Sequence, residues 1–134
     1  MRVQQQLRDG VLMLTVSEKA LVRHPDWEQI DGLRHQEAVV VALDLQGVDF
    51  VSSLFLVGCV ELQRALAEDG RHLVLLHLAR PHRALLELID GGQALQVLEN
   101  EDRLHTMAAA CVARRSAGAE EGVTLREKRT LWES

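Results

Sequence analysis

The chain has little from which ring stacking, metal chelation or phosphate gripping could be built. Among its 134 residues there are two phenylalanines (Phe50, Phe55), two tryptophans (Trp27, Trp132) and no tyrosine, which leaves few rings for single-stranded bases to stack on. Cations are outnumbered, 15 Lys and Arg against 20 Asp and Glu for a formal net charge of -5, and they form no basic patch along the sequence. Nucleic acid is therefore not an expected partner. The two cysteines, Cys59 and Cys111, stand in apolar stretches at a spacing that fits no zinc or redox motif, so they are expected as buried small hydrophobes. No apolar run approaches the ~18 residues of a membrane-spanning helix, and the opening MRVQQQLRDG lacks the apolar segment of a secretory signal, so a reducing cytoplasm is the expected location. There is no G-x-S-x-G elbow, glycine-rich phosphate loop or H-E-x-x-H pair, and the six histidines (His24, His35, His72, His77, His82, His105) match no metal-binding spacing. Neither catalysis nor a bound cofactor is expected.

What remains is ordinary globular composition, 47% hydrophobic and 26% charged, in a chain of about one domain's length. Residues 3–7 and 11–16 are β-prone runs joined by Asp9-Gly10, a pair suited to the positive φ angles of a tight hairpin. After an irregular stretch over 17–24, Pro25 opens an expected short helix carrying Trp27, Ile30 and Leu33 at helical spacing. Residues 38–43 (AVVVAL) are wholly apolar, as a central strand covered on both faces requires. Ser52-Ser53, the run 54–68 and Asp69-Gly70 give a cap, a helix and a stop in order. Residues 73–78 read as a second buried strand, on which His72 and His77, five positions apart, would point to opposite faces. Arg80-Pro81 stops this strand before a short helix over 82–89 that closes at Gly91-Gly92. Residues 95–98 make one more strand, and Asn100 caps a last helix through Ala113 with Leu104, Met107 and Cys111 on one face. Residues 114–122 read as a linker and 123–134, with Trp132, as a tail. The alternation calls for an α/β domain over 1–113 with a mostly parallel sheet.

The segment Val41-Ala42-Leu43-Asp44-Leu45-Gln46-Gly47-Val48-Asp49-Phe50-Val51-Ser52-Ser53 resembles the core signature of the STAS family of bacterial anti-sigma factor antagonists, whose usual form is VxLDLSGVxFxDSSG. Residues 62–78 resemble the family's next helix and strand. Residues 81–89 resemble its P-x-x-R-x-x-L-E-L helix, with Pro81 in place, Ala84 at the arginine and Glu87-Leu88 one position early. The likeness runs from about residue 3 to 113 and is weakest over 17–36. It implies a STAS-like single domain with a mixed sheet of four or five strands and helices mainly on one face. It also implies a protein partner, either an anti-sigma factor that is also a serine kinase or another STAS protein, with the chain itself a monomer or weak homodimer.

In phosphorylated members the second serine of DSSG accepts the phosphate. Counted from Phe50 without a gap, that position falls on Leu54, the first serine on Ser53, the aspartate on Ser52 and the glycine on Phe55. A one-residue deletion would instead put the acceptor on Ser53. The resemblance thus implies phosphorylation at Ser53 or Ser52, whereas helix capping alone accounts for one of these hydroxyls. Projected at about 100° per residue, Phe55, Cys59, Leu62 and Leu66 share a core-facing stripe. Leu54 and Val57 fall on the opposite side, among Glu61, Arg64 and Glu68. Ser53, Leu54, Val57 and Glu61 are therefore the expected partner contacts. A constitutive STAS subunit of a larger signalling or transport assembly is the alternative, because Leu54 has no hydroxyl to modify. A response-regulator receiver also alternates strand and helix. Its magnesium pocket cannot be assembled here, since Asp9 sits in a hairpin and no lysine closely follows residue 78 or 98.

Overall fold

A computed structural model describes residues 1–91 and 95–115. Asp9 and Gly10, at φ 51° and 81°, form a two-residue turn that pairs β1 (Val3–Arg8) with β2 (Val11–Val16), Arg8 opposite Val11. Two consecutive positive φ angles give the primed turn whose twist suits a hairpin. The short strand β3 (Ala20–Leu21) follows. Next come β4 (Val40–Asp44) and β5 (Phe50–Val51), then helix α1 (Ser53–Glu68), β6 (His72–Leu76), helix α2 (Arg80–Asp90) and β7 (Gln96–Leu98). Residues 104–115 are helical and form α3. The main sheet has five strands in the order β1-β2-β4-β6-β7, antiparallel only between β1 and β2. β3 and β5 form a separate two-stranded parallel ribbon.

β4 is the centre of the sheet, and its residues from Val40 to Leu43 are fully buried, as an apolar run covered on both faces must be. Alternate residues serve the two faces. Leu12, Leu14, Val41, Leu43, Leu73 and Leu75 pack with Phe55, Cys59, Leu62 and Leu66 of α1 and with Leu86 of α2. Val11, Val40, Ala42, Val74 and Leu76 pack with Leu104, Ala108 and Cys111 of α3. Two helices thus share one face and α3 covers the other. Both cysteines are buried and free, and burial pushes the Cys59 thiol well up from its ordinary value, which leaves it inert.

The structure corrects four local readings. The stretch that follows Pro25 is two 3-10 turns, Trp27–Gln29 and Asp31–Arg34, with Ile30 extended between them. Tertiary contact overrides helical spacing here. Gly32 is buried against Leu12 and receives Gln5, whose side-chain oxygen accepts the Gly32 N–H at 2.8 Å, and a Cβ at this position would lie 2.7 Å from that oxygen. His77 is not a strand residue: it follows β6 at φ 60°. Asn100 makes an Asx turn to the amide of Asp102, 3.1 Å, ahead of a helix that starts at residue 104. Arg114 and Arg115 belong to α3 rather than to a linker. Arg115 donates to the Gln36 carbonyl at 2.7 Å, and cations are favoured in a helix's last turn. Gly91 ends α2 in the left-handed conformation, while Gly92 and the expected tail with Trp132 lie outside the described residues.

One buried charge ties the irregular segment to the sheet. Arg71 is 3% exposed. Its Nε donates to the Ala38 carbonyl at 2.8 Å and a terminal nitrogen to Leu33 at 2.9 Å. Burial lowers its pKa, with Asp69 opposing and Arg115 adding to that shift, yet an arginine keeps its charge through such shifts. Arg71→Met fills a similar volume but leaves both carbonyls without their donor, so urea melts should record a loss of about 2–4 kcal/mol.

Candidate docking site at the head of helix α1

The loop after β4 brings the chain into β5, and α1 begins at once. Ser52 is the N-cap: its Oγ accepts the Phe55 N–H at 3.1 Å and donates to the Val22 carbonyl at 2.6 Å. Its own amide donates to the Leu21 carbonyl at 2.9 Å. Ser52 is thus committed to structure on every side. Ser53, the first helical residue, is exposed, and its hydroxyl makes no hydrogen bond among the described residues. This divides the two candidate acceptor serines by environment, one locked and one free.

Leu54 is 52% exposed, as its position on the helix projection requires. Val57 is half-buried instead of exposed, being next to Gly58, where the chain ahead of the 3-10 turns crosses α1. A Cβ on Gly58 would stand 2.4 Å from Pro25 Cδ, so only glycine permits the crossing. Trp27 Nε1 donates to the Gly58 carbonyl at 3.0 Å and its ring packs at a tilt on Phe55, centroids 6.3 Å apart. Glu61 is exposed, but its carboxylate is engaged by His24 Nε2 at 2.7 Å. Of the four expected contacts, Ser53 and Leu54 face solvent unencumbered, Val57 is partly covered and Glu61 is tied to the crossing strap.

Two residues that sequence reasoning did not assign to the site join it. Val22 and Phe50 are 57% and 50% exposed. Val22 is held against the cap through its carbonyl, and Phe50 lies two residues before Ser52, its ring edge-on to His82 at 5.9 Å. The signal for Phe50 was present in the sequence: in a strand only two residues long, a buried Val51 turns Phe50 to the other side. Three large exposed apolar side chains thus belong to the three segments that meet at Ser52. A group of this kind is the usual mark of an interaction surface. Among the described residues no cluster of three metal-ligating side chains occurs and no helix is long and apolar enough to cross a membrane.

The architecture, a mixed five-stranded sheet with its helices, is the fold of solved STAS domains. An anti-sigma-factor antagonist (STAS) domain protein from Planctomyces limnophilus superposes with a TM-score of 0.60 at 17% identity, over 79% of this chain and 96% of that one. The anti-sigma factor antagonist SpoIIAA, in its unphosphorylated form, superposes with a TM-score of 0.57 at 10% identity, over 81% of this chain and 98% of that one. No family model and no curated protein matches the sequence.

Truncations should separate the cap, the core and the surface. Leu62→Ala removes a buried side chain and should cost about 2–5 kcal/mol, Ser52→Ala about 1 kcal/mol through the lost cap, and Leu54→Ala or Ser53→Ala under about 0.5 kcal/mol. Thermal or urea melts of the four variants read the order directly, and a Leu54→Ala cost equal to that of Leu62→Ala would mean that the face is not free.

Proposed function

We propose that this chain is a non-enzymatic regulatory domain of the anti-sigma factor antagonist type, which docks an anti-sigma factor through Ser53, Leu54 and Val57 together with Val22 and Phe50. The single observation that carries this reading is that the segments bonded at the Ser52 cap each carry an exposed apolar side chain, Val22, Phe50 and Leu54, beyond the carboxyl end of the parallel strands, where open α/β sheets bind their ligands. The STAS fold, shared with two anti-sigma-factor antagonists, supports the class of partner. Ser53 is the acceptor this reading prefers, because a phosphate there would keep the Ser52 cap and meet the positive end of α1, worth about 0.3–1 kcal/mol. On docking, the same phosphate would be pressed against Leu54 and Phe50 at a desolvation cost. Modification would abolish the contact and leave the domain folded.

A second reading, a constitutive STAS subunit, is favoured by Leu54, which offers no hydroxyl at the gap-free acceptor position and adds apolar surface instead. The two readings part on chemistry. Incubation with the anti-sigma factor and ATP, followed by intact-mass and fragment analysis, adds one phosphate at Ser53 in the switched case and none in the constitutive one.

The docking claim itself is tested without a kinase. Each anti-sigma factor of the source organism, expressed singly, is titrated calorimetrically with wild type, Ser53→Asp, Leu54→Asp and, as a distant control on α3, Val112→Asp. One factor should bind wild type and the control alike, and bind the two α1 variants at least about tenfold more weakly, with melting temperatures little changed. Equal affinities for all four, or no factor that binds, would move the interface elsewhere.

A further inference from the structure

The backbone of β5 has a hydrogen-bond arrangement with a consequence for control of the docking face. The amides of Phe50 and Ser52 donate to the Lys19 and Leu21 carbonyls, on the β3 side of the ribbon. The amide between them, Val51 N–H, points the other way and donates to Nε2 of His82 in α2 at 3.3 Å. A ring nitrogen can accept only through its lone pair, so this bond requires the neutral imidazole with its proton on Nδ1. The Phe50 ring stands edge-on to the same imidazole. His82 therefore holds both residues that lead into the Ser52 cap, one by its backbone and one by its ring.

We propose that His82 is a positioning residue that makes the docking face responsive to protons. Neutral, it accepts the Val51 amide and fixes Phe50; protonated, it presents an N–H to an N–H, the pair parts, and β5 loosens beside the cap. The charged groups on the elements around it are Asp49 ahead of β5, Lys19 ahead of β3, and Arg80, Arg83, Glu87 and Asp90 on α2. Arg83 is turned to the Leu78 carbonyl at 3.0 Å and to Glu99 at 3.8 Å, and the first turn of α1 brings no acidic residue. Among the described residues no carboxylate forms an ion pair with the ring.

The inference rests on the docking face proposed above, and its test has one arm that does not. Backbone amide exchange is followed by NMR at about pH 8 and about pH 5, the interval across which histidine changes charge, with correction for the intrinsic pH dependence of exchange. In wild type the protection of Val51 should fall by about tenfold at the lower pH, while Leu75 in the buried β6 keeps its own. In His82→Gln, whose side-chain oxygen accepts without titrating, Val51 should be equally protected at both. Unchanged Val51 protection in wild type, or the same fall in the Gln variant, overturns the proposal. Should the Gln variant not fold, the wild-type Val51 15N shift and the His82 ring shift decide it by titrating together or apart. The second arm repeats the partner titration at both pH values, where wild type should lose affinity on protonation and His82→Gln should not. Amide behaviour as expected with affinity indifferent to pH would overturn the link to docking alone; absence of the amide response would overturn the His82 role whatever the affinity does.

Discussion

The shared hydroxyl of Ser52 is the contact on which the candidate site depends. One oxygen accepts from the first turn of α1 and donates to the carbonyl of Val22, while the amide of the same residue donates to Leu21. The start of the helix, the end of β5 and the exit of β3 are thereby fixed to each other at a single residue. A helix start has amides that no turn of the helix can satisfy, and a two-residue ribbon such as β3 with β5 is too short to hold by itself. Each deficit is met by the other. The exposed side chains of Val22, Phe50 and Leu54 inherit that rigidity, since each is at most two residues from an atom bonded at the junction.

Gly58 has the complementary role further along the helix. Because Pro25 lies where a Cβ would be, the segment from Val22 to Trp27 crosses α1 in close contact, held by the Trp27 indole on the Gly58 carbonyl and by His24 on Glu61. Such a crossing fixes which part of the outer surface of α1 remains open. It leaves the first turn free and takes up the second and third. The open apolar part of that surface is small because the strap bounds it.

The strands were legible because the signal that specifies them is local. The AVVVAL run could only be a doubly covered strand, and Asp9-Gly10 could only be a tight turn. The serine cap and the Asp69-Gly70 stop of α1 were equally readable from residue types. The 3-10 segment was not, because its conformation is set by Gln5 of β1 and Leu12 of β2 reaching Gly32 from the hairpin far back in the chain, and no window around Pro25 contains that information. The site divides in the same way. The exposure of Ser53 and Leu54 followed from helical projection, a property of one element. The partial burial of Val57, the His24 partner of Glu61 and the inclusion of Val22 follow from which segments meet, and these meetings exist only in the folded chain.

The environments of the two serines also bear on what kind of control this surface can carry. Phosphate on Ser52 would remove the proton that Oγ donates to Val22 before any partner was involved, so the cost would fall on folding. Phosphate on Ser53 breaks nothing. A leucine one position later offers no charge to switch, but half of its side chain is already out of water, and covering the rest would add about 1 kcal/mol to a complex. On the proposed reading, affinity and control are therefore assigned to adjacent residues: Leu54 contributes the contact, and Ser53 determines whether that contact can be made. A chain with serine at both places would gain a second site of modification and lose the apolar anchor beside it. The departure from the DSSG pattern then reads as a shift of weight from switching towards standing affinity, while the cap that presents both residues is retained.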